Sequence, residues 1–236
     1  DGDALTYSLL GAEIPGLTIN SDGSWRFNPS DSAYQSLAAD DSQAITVNYG
    51  VSDGKGGSSQ SSFVINISGT NDKPVANAAA LILPSIQEDT TLNISEAQLL
   101  AGITDIDGDD LTIVDGSLTV TTGDGGFTGN AANGWTFTPD ANYNGEISFS
   151  YSVSDGTTGD EVSSTATFQV LSVNDAPVYS NSGASLGEIN EDNTLSFSVN
   201  NVLADFSDAD TADALTITGI TASNGSISFD DITQEY

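Results

Sequence analysis

The sequence predicts an all-β protein made of tandem β-sandwich repeats joined end to end. Apolar and polar residues alternate in short runs rich in Thr, Val, Ile and aromatic residues, the period of a half-buried strand. Clusters of Gly, Asn and Asp interrupt these runs, and roughly seven runs fall in each 100 residues, as in a β-sandwich. The whole pattern also recurs along the chain.

This recurrence predicts the domain organisation. The segment from "VNYGVSDGKGG" to "NDKPVA" at 47–76 returns as "FSYSVSDGTTG" to "NDAPVY" at 149–179. The pairs Asn71-Asp72 and Asn174-Asp175 are therefore 103 residues apart (174 − 71). We expect three domains: an N-terminally incomplete repeat over 1–73, a complete repeat over 74–176, and the first part of a third repeat over 177–236.

Local signals support this organisation. Each junction between repeats carries a proline, Pro74 or Pro177, which restricts the backbone and favours a stiff connection. The run "SEAQLLAG" at 95–102 predicts a short helix with Ser95 as its N-cap. We expect the large aromatic residues to pack in the core or at corners rather than to form ligand platforms: Trp25, Trp135, Phe137, Tyr143 and Tyr151.

Composition excludes several classes of function. The chain has no Cys, His or Met, which excludes zinc and haem sites built on these residues, Cys or Ser–His nucleophiles, and disulfides. Thirty-four acidic residues face only Arg26, Lys55 and Lys73, giving a formal charge of −31. Nucleic acid and anionic membranes are therefore poor partners, since both are bound through Lys and Arg. The sequence has no apolar run of the length that inserts in a membrane.

The acidic residues gather where one repeat meets the next. Loops of an antiparallel sandwich alternate between its two ends, so "DIDGD" at 105–109 and Asp155 in "VSDG" are both predicted at the upper end. The Asn-Asp pair that enters from the preceding repeat reaches the same end. The predicted convergent set is Asn71, Asp72, Asp105, Asp107, Asp109 and Asp155.

The same reasoning places a second acidic set at the lower end. Glu88 precedes the second strand, and Asp140 lies in the loop "TPDANYNG". We expect them to face the second junction, with Asn174, Asp175, Asp208 and Asp210.

Both sets offer several carboxylate oxygens and no nitrogen or sulfur, which is the ligand set typical of Ca²⁺. Mg²⁺ fits less well, because it keeps several of its water ligands. The loop from Asp105 does not fit an EF-hand, because Asp110 and Gly116 stand where Gly and Glu are required. The Gly-rich calcium nonapeptide is also absent, since "GDGGFTGNAANG" at 123–134 does not continue as a series. The alternative is that the acids are ordinary turn residues on a solvated surface.

The complete repeat resembles the bacterial cadherin-like tandem repeats through "NDKPVA", "EDTTLNIS", "LLAGITDIDGDDLTI" and "WTFTPDANYNGEISFSYSVSDG". The first repeat resembles the VCBS repeat through "LTINSDGSWRFNPSD" and "INISGTNDKPV". Such repeats occur in giant surface adhesins of the RTX type, which Gram-negative bacteria export by type I secretion. The resemblance implies extracellular extender repeats, at the bacterial cell surface, with Ca²⁺ between neighbouring domains.

The resemblance also implies a ligand set for each junction. The first comprises Asn71, Asp72, Asp105, Asp107 and Asp155, and the second comprises Asn174, Asp175, Asp208 and Asp210 with Glu88 and Asp140 from below. Asp1, Asp3 and Asp53 would mark the upper end of the first repeat. That repeat has no "EDT" element, so Asp31 is the candidate for its lower contribution. The extra residue in "DADTAD" leaves open whether Asp213 replaces Asp109.

These observations favour extender repeats of a secreted adhesin, stiffened by calcium and supporting cell adhesion or biofilm, whose partners are the neighbouring repeats. The alternative is a module that binds carbohydrate or a host surface, with Trp25 and Trp135 as candidates. We do not expect an enzyme, because the paired carboxylates fall at domain ends with no sign of a cleft.

Overall fold

A computed structural model describes residues 2–180, 186–230 and 235–236. These residues form two compact units that divide between Val170 and Leu171. Asp1 lies outside the described residues, so the prediction made for it stays untested.

The first repeat contains five strands. β4 and β5 pair antiparallel along their whole length, from Ser42 opposite Ser68 to Ser52 opposite Ser58, and β1 adds to the other side of β4. A separate hairpin joins β2 and β3. The bounds are β1 Thr6–Leu9, β2 Leu17–Ile19, β3 Trp25–Phe27, β4 Ser42–Ser52 and β5 Ser58–Ser68.

The second repeat is a two-sheet sandwich. One sheet has the order β10-β13-β14-β6, with β9 also on β13 and β7 also on β14, and the other has the order β11-β12-β8. The bounds are β6 Leu81–Ile82, β7 Ile86–Gln87, β8 Leu92–Ile94, α1 Glu96–Leu99, β9 Thr112–Ile113, β10 Thr119–Thr122, β11 Gly125–Asn130, β12 Gly134–Pro139, β13 Gly145–Ser154 and β14 Val162–Leu171. The predicted all-β sandwich architecture is confirmed.

The core of this sandwich follows directly from the alternation in the sequence. Every second residue of β13, from Ile147 to Val153, is buried, and the same period continues on β14. Phe137 of β12 meets Phe168 of β14 edge to face, with ring centroids 5.3 Å apart, so the two sheets interlock through aromatic rings.

The aromatic predictions hold in the second repeat but fail at Trp25. Trp135 is 3% exposed because β12 lies between β11 and β8, whereas Trp25 is 54% exposed. Within the described residues β3 pairs only with β2, so no neighbouring strand covers the indole. The expectation of core packing was therefore wrong for Trp25, which instead rests against Phe63 at a centroid distance of 5.2 Å.

The predicted helix begins where expected. Ser95 caps α1, its hydroxyl accepting from the Gln98 N–H while the Gln98 side chain accepts from the Ser95 N–H, a reciprocal capping box. The second unit repeats this device 103 residues later, with Ser198 and Asn201 at the start of α2. Its elements are β15 Val178–Tyr179, α2 Val199–Leu203 and β16 Phe206–Ser207. In the part of the chain described, no helix has the length and apolar character needed to cross a membrane.

Candidate metal centres

The upper end of the second repeat is the end at which β13 finishes and the linker arrives. β9 pairs with the last residues of β13, Ile113 opposite Val153 and Thr112 opposite Ser154. This pairing brings the loop 105–111, which precedes β9, beside Asp155, which follows β13. Sheet register thus joins two acidic segments that are 50 residues apart in the sequence (155 − 105).

The loop itself gathers three carboxylates. One oxygen from each of Asp105, Asp107 and Asp109 lies within 4.8 Å of the others. The Asp107 N–H donates to Asp105 Oδ1 at 2.8 Å, and Gly108 adopts φ +81°, so the backbone turns tightly around the acids. The turn therefore holds these side chains on one side of the loop.

The linker docks on both acidic segments, as predicted. The Asp72 N–H donates to Asp107 Oδ2 at 2.7 Å, and Asn71 Nδ2 donates to Asp155 Oδ2 at 3.0 Å. Thr157 Oγ1 donates to Asn71 Oδ1 at 3.0 Å. We call the linker pair and the acids around it the first cluster. Its members are Asn71, Asp72, Asp105, Asp107, Asp109, Asp155 and Asp160.

The electrostatics of the first cluster are uneven. Asp105 Oδ2 and Asp107 Oδ1 are inaccessible to water and have no hydrogen-bond partner among the described residues. Burial, and then repulsion from Asp105 and Asp107, raises the pKa of Asp109. The Asn71 amide, as the largest influence, lowers the pKa of Asp155. Buried carboxylate oxygens without donors are costly, so this side of the cluster favours a cation.

Asp160 and its ion-pair partner Lys73 also lie in this neighbourhood, although the sequence did not predict either of them there. Asp160 Oδ2 lies 3.3 Å from Asn71 Nδ2, and Asp160 Oδ1 forms an ion pair of 2.9 Å with Lys73 Nζ. Both Asp155 and Asp160 belong to the loop that joins β13 to β14, so the second acid in "SDGTTGD" was the available signal.

The second unit repeats the same hydrogen bonds. The Asp175 N–H donates to Asp210 Oδ2 at 2.6 Å, and the Asp210 N–H donates to Asp208 Oδ1 at 3.0 Å. Asn174 Nδ2 donates to the Asp175 carbonyl, as Asn71 does to that of Asp72. Asp213 lines a groove of the second unit together with Asn174, Asp175 and Asp208. We call Asn174, Asp175, Asp208, Asp210 and Asp213 the second cluster.

The upper end of the first repeat has a simpler arrangement. Asp53 Oδ1 accepts from the N–H groups of Lys55 and Gly57 in the β4–β5 turn. Lys55 Nζ reaches Asp3 at 2.5 Å, so the lysine lies between the two predicted acids. At the lower end, Asp31 Oδ1 accepts from the Ala33 N–H at 3.1 Å and stabilises its own turn.

Glu88 and Asp140 lie at the opposite end of the second repeat from Asp155. Asp89 Oδ1 accepts from the Asn142 N–H at 3.2 Å, which joins the Glu88 turn to the Asp140 loop. Glu88 is 4% exposed, whereas Asp140 is exposed. β13 separates this end from Asp155 by about 30 Å, so neither acid contributes to the first cluster. Their approach to the second cluster stays a prediction.

The sequence model of the cadherin-like domain family matches residues 70–171 and 173–233, and that of the bacterial Ig domain matches residues 1–66. No curated protein matches the chain. Similar solved structures include mouse cadherin-23 EC22-24, 15% identical over 72% of this chain and 53% of its own, with a TM-score of 0.41. Protocadherin gammaB7 EC3-6 is 17% identical over 75% of this chain and 43% of its own, with a TM-score of 0.40.

An endo-fucoidan hydrolase from glycoside hydrolase family 107 is 24% identical over 73% of this chain, with a TM-score of 0.29. This chain spans only 24% of that hydrolase.

Proposed function

Because this chain belongs to the cadherin-like domain family, we propose that it forms extender repeats of a large secreted bacterial adhesin, stiffened by calcium at the junctions between repeats. Cadherin-like domains generally bind calcium and associate with neighbouring repeats. Cadherin-like and bacterial Ig domains are extracellular and typically non-enzymatic. An RTX-type adhesin that acts in cell adhesion or biofilm is the setting we propose for them.

The observation that carries the proposal is the pair of buried carboxylate oxygens without donors, Asp105 Oδ2 and Asp107 Oδ1. Both belong to the three-carboxylate group, within 4.8 Å, in which burial and repulsion already raise the pKa of Asp109. The set offers oxygen ligands only, which fits calcium and not a transition metal that prefers nitrogen or sulfur. The residues of the first cluster therefore fit the ion that the family implies.

The chain's own contacts explain how such a site stiffens a junction. The Asp72 N–H on Asp107 and the Asn71 amide on Asp155 tie the linker to two loops of the second repeat. β9–β13 pairing fixes those loops to the sandwich. Calcium, when bound, supplies the divalent charge that offsets the clustered carboxylates. Because the site is complete only when linker and domain are docked, binding favours the ordered junction.

A thermal melt in calcium and in chelator tests the proposal. We expect millimolar calcium to raise the melting temperature of the wild-type chain clearly, and magnesium to raise it less. Asp105→Asn removes one ligand charge and should reduce the calcium-dependent rise. Asp110→Asn, which makes the same charge change at an exposed residue of the same loop, should keep it. Equal melting temperatures of the wild-type chain in chelator and in calcium would refute the proposal.

Glycan binding by the first repeat is a second candidate, favoured by the exposure of Trp25. Its indole lies against Phe63 and lines a small groove with Tyr7 and Tyr49, an arrangement on which a sugar ring can stack. Trp135, the other predicted candidate, is buried and cannot contact a glycan. Glycan-array binding that Trp25→Ala abolishes with the fold intact would support this function, and binding that persists in the variant would exclude Trp25.

A further inference from the structure

The distribution of basic residues points to a second role at the junctions. The chain has three basic residues against 34 acids, and two of them are held at the upper ends of successive repeats. Lys55 pairs with Asp3 at 2.5 Å and Lys73 pairs with Asp160 at 2.9 Å. The remaining one, Arg26, is an exposed residue of β3. Scarce positive charge is thus placed beside the acids at which calcium is proposed to bind.

Lys73 closes a continuous network between linker and loop. Its ammonium group also donates to the Gly159 carbonyl at 3.1 Å, so it contacts the β13–β14 loop at both Gly159 and Asp160. The other oxygen of Asp160 lies 3.3 Å from the Asn71 amide, which itself donates to Asp155. The hydrogen bond to Asp160 is the largest influence that raises the pKa of Lys73, which therefore stays charged.

The two junctions differ at this one position of their shared motif. The sequence reads "NDKP" at the first junction and "NDAP" at the second, so Ala176 stands where the first junction has Lys73. The backbone hydrogen bonds of Asp72 and Asp175 to the following acidic loop are otherwise alike. Of these two junctions, only the first therefore carries an ammonium group.

We propose that Lys73 is a tethered counterion: it holds the linker on the β13–β14 loop when calcium is absent, and it weakens calcium binding at the first cluster. The inference rests on the proposed function for its second half only. The Lys73 ammonium group contacts Asp160, which itself lies beside Asn71, so its positive charge is close enough to repel a divalent cation in the first cluster. In water, repulsion at this range weakens the affinity for calcium by about three- to tenfold. The lysine side chain is exposed and screened by salt, so its effect on calcium affinity does not exceed that range.

Lys73→Ala tests both halves, with Lys73→Arg as the conservative variant and Arg26→Gln as the control for net charge. In calorimetric titrations with calcium chloride, Lys73→Ala should bind about three- to tenfold more tightly at one site, whereas both other variants stay near wild type. In chelator, amide hydrogen exchange of Asp72, whose N–H donates to Asp107, should be several-fold faster in Lys73→Ala and close to wild type in Lys73→Arg.

Loss of the tether opposes the gain in affinity, because the site is complete only when the linker is docked. Unchanged or weaker calcium binding in Lys73→Ala would therefore show that the lysine does not weaken binding and would overturn the competition, and unchanged exchange of the Asp72 amide would overturn the tether. If the wild-type chain binds no calcium, the proposed function fails and the competition fails with it. The exchange experiment contains no metal, so it still decides whether Lys73 holds the linker. Acceleration by Arg26→Gln as well would attribute the effect to net charge and contradict the proposal.

Discussion

Asp107→Asn should have opposite effects on stability with and without calcium. Its carboxylate carries a buried oxygen without a partner and another that accepts from the Asp72 N–H at 2.7 Å. The amide oxygen of Asn can keep the hydrogen bond to Asp72 while the negative charge disappears. The substitution therefore separates the charge of this residue from its structural contact.

The magnitude without calcium follows from the separation of the acids. Ligand oxygens of Asp105 and Asp107 lie within 4.8 Å, at which two unit charges in water repel by about 0.9 kcal/mol. Asp109 adds to the repulsion in the same direction. We expect the variant to be more stable than wild type in chelator by about 1 kcal/mol, which raises Tm by about 4–8 °C for a domain of this size.

The order reverses in calcium. At a calcium concentration of about 100 Kd, binding stabilises the wild-type domain by about 2.7 kcal/mol. Replacing a residue that only hydrogen-bonds a metal ligand typically weakens metal binding about 10–100-fold, so loss of a ligand carboxylate should weaken it at least as much. If calcium binds about a hundredfold more weakly, its stabilisation of the variant falls to about 0.4 kcal/mol. The variant should then be less stable than wild type by about 1.3 kcal/mol, because its gain of about 1 kcal/mol only partly offsets the lost calcium stabilisation.

The assay is thermal unfolding followed by the fluorescence of buried Trp135, in a Trp25→Phe background so that the exposed indole does not contribute. Asp110→Asn, with the same change in charge, is the matched control. A variant that melts at or below wild type in chelator would contradict the expected repulsion, and one that still gains the full calcium-dependent stabilisation would show that Asp107 is not a ligand.

Three further predictions test the fold. Phe149→Ala should destabilise the second repeat by about 3–5 kcal/mol in chemical denaturation, because the ring is fully buried and packs 4.7 Å from Phe127; a loss below about 1 kcal/mol would contradict this packing. Ser95→Ala should cost about 1 kcal/mol, since it removes the acceptor for the Gln98 N–H at the start of α1, and unchanged denaturation would show that the capping box is not formed. Ser24→Ala should raise the pKa of Asp22 towards its ordinary value of 3.8, because the Ser24 hydroxyl is the main group that lowers it. Because the folded-state pKa is lowered, ionised Asp22 stabilises the fold above pH 3.8, and this contribution is lost as pH falls from 3.8 through the folded-state pKa. The variant should lose the part that the hydroxyl supplies, and an unchanged pKa in an NMR titration of the Asp22 carboxyl carbon would contradict this.

Sequence alone predicted the parts of the site that periodicity and repetition encode. Strand alternation places Asp155 and the loop 105–109 at one end, and the structure joins them through β9–β13 pairing. The Ser95 cap was readable because helix N-termini need a side-chain acceptor within a few residues. These features depend on local chemistry or on a parity that holds for any antiparallel sandwich.

What the sequence did not predict depends on side-chain placement across loops and on which strands are neighbours. Asp160 joins the first cluster only because the β13–β14 loop folds back towards Asn71. The exposure of Trp25 could not be foreseen from "SWRF", which has the alternation of a buried strand, since exposure depends on whether another strand pairs beside β3. The ion pair of Lys73 with Asp160 likewise depends on how the β13–β14 loop folds, which the motif "NDKP" does not encode.

Anomalous diffraction from a crystal of the chain grown with calcium, or with a lanthanide in its place, tests directly whether the first cluster binds a cation. We expect an ion bound between the linker and the second repeat, with oxygens of Asp105, Asp107 and Asp155 at about 2.3–2.6 Å for calcium. Asn71 or Asp72 should complete the set from the linker. An empty first cluster in a crystal saturated with calcium would rule out a calcium-stiffened junction, as would ions held only by exposed acids away from Asn71-Asp72.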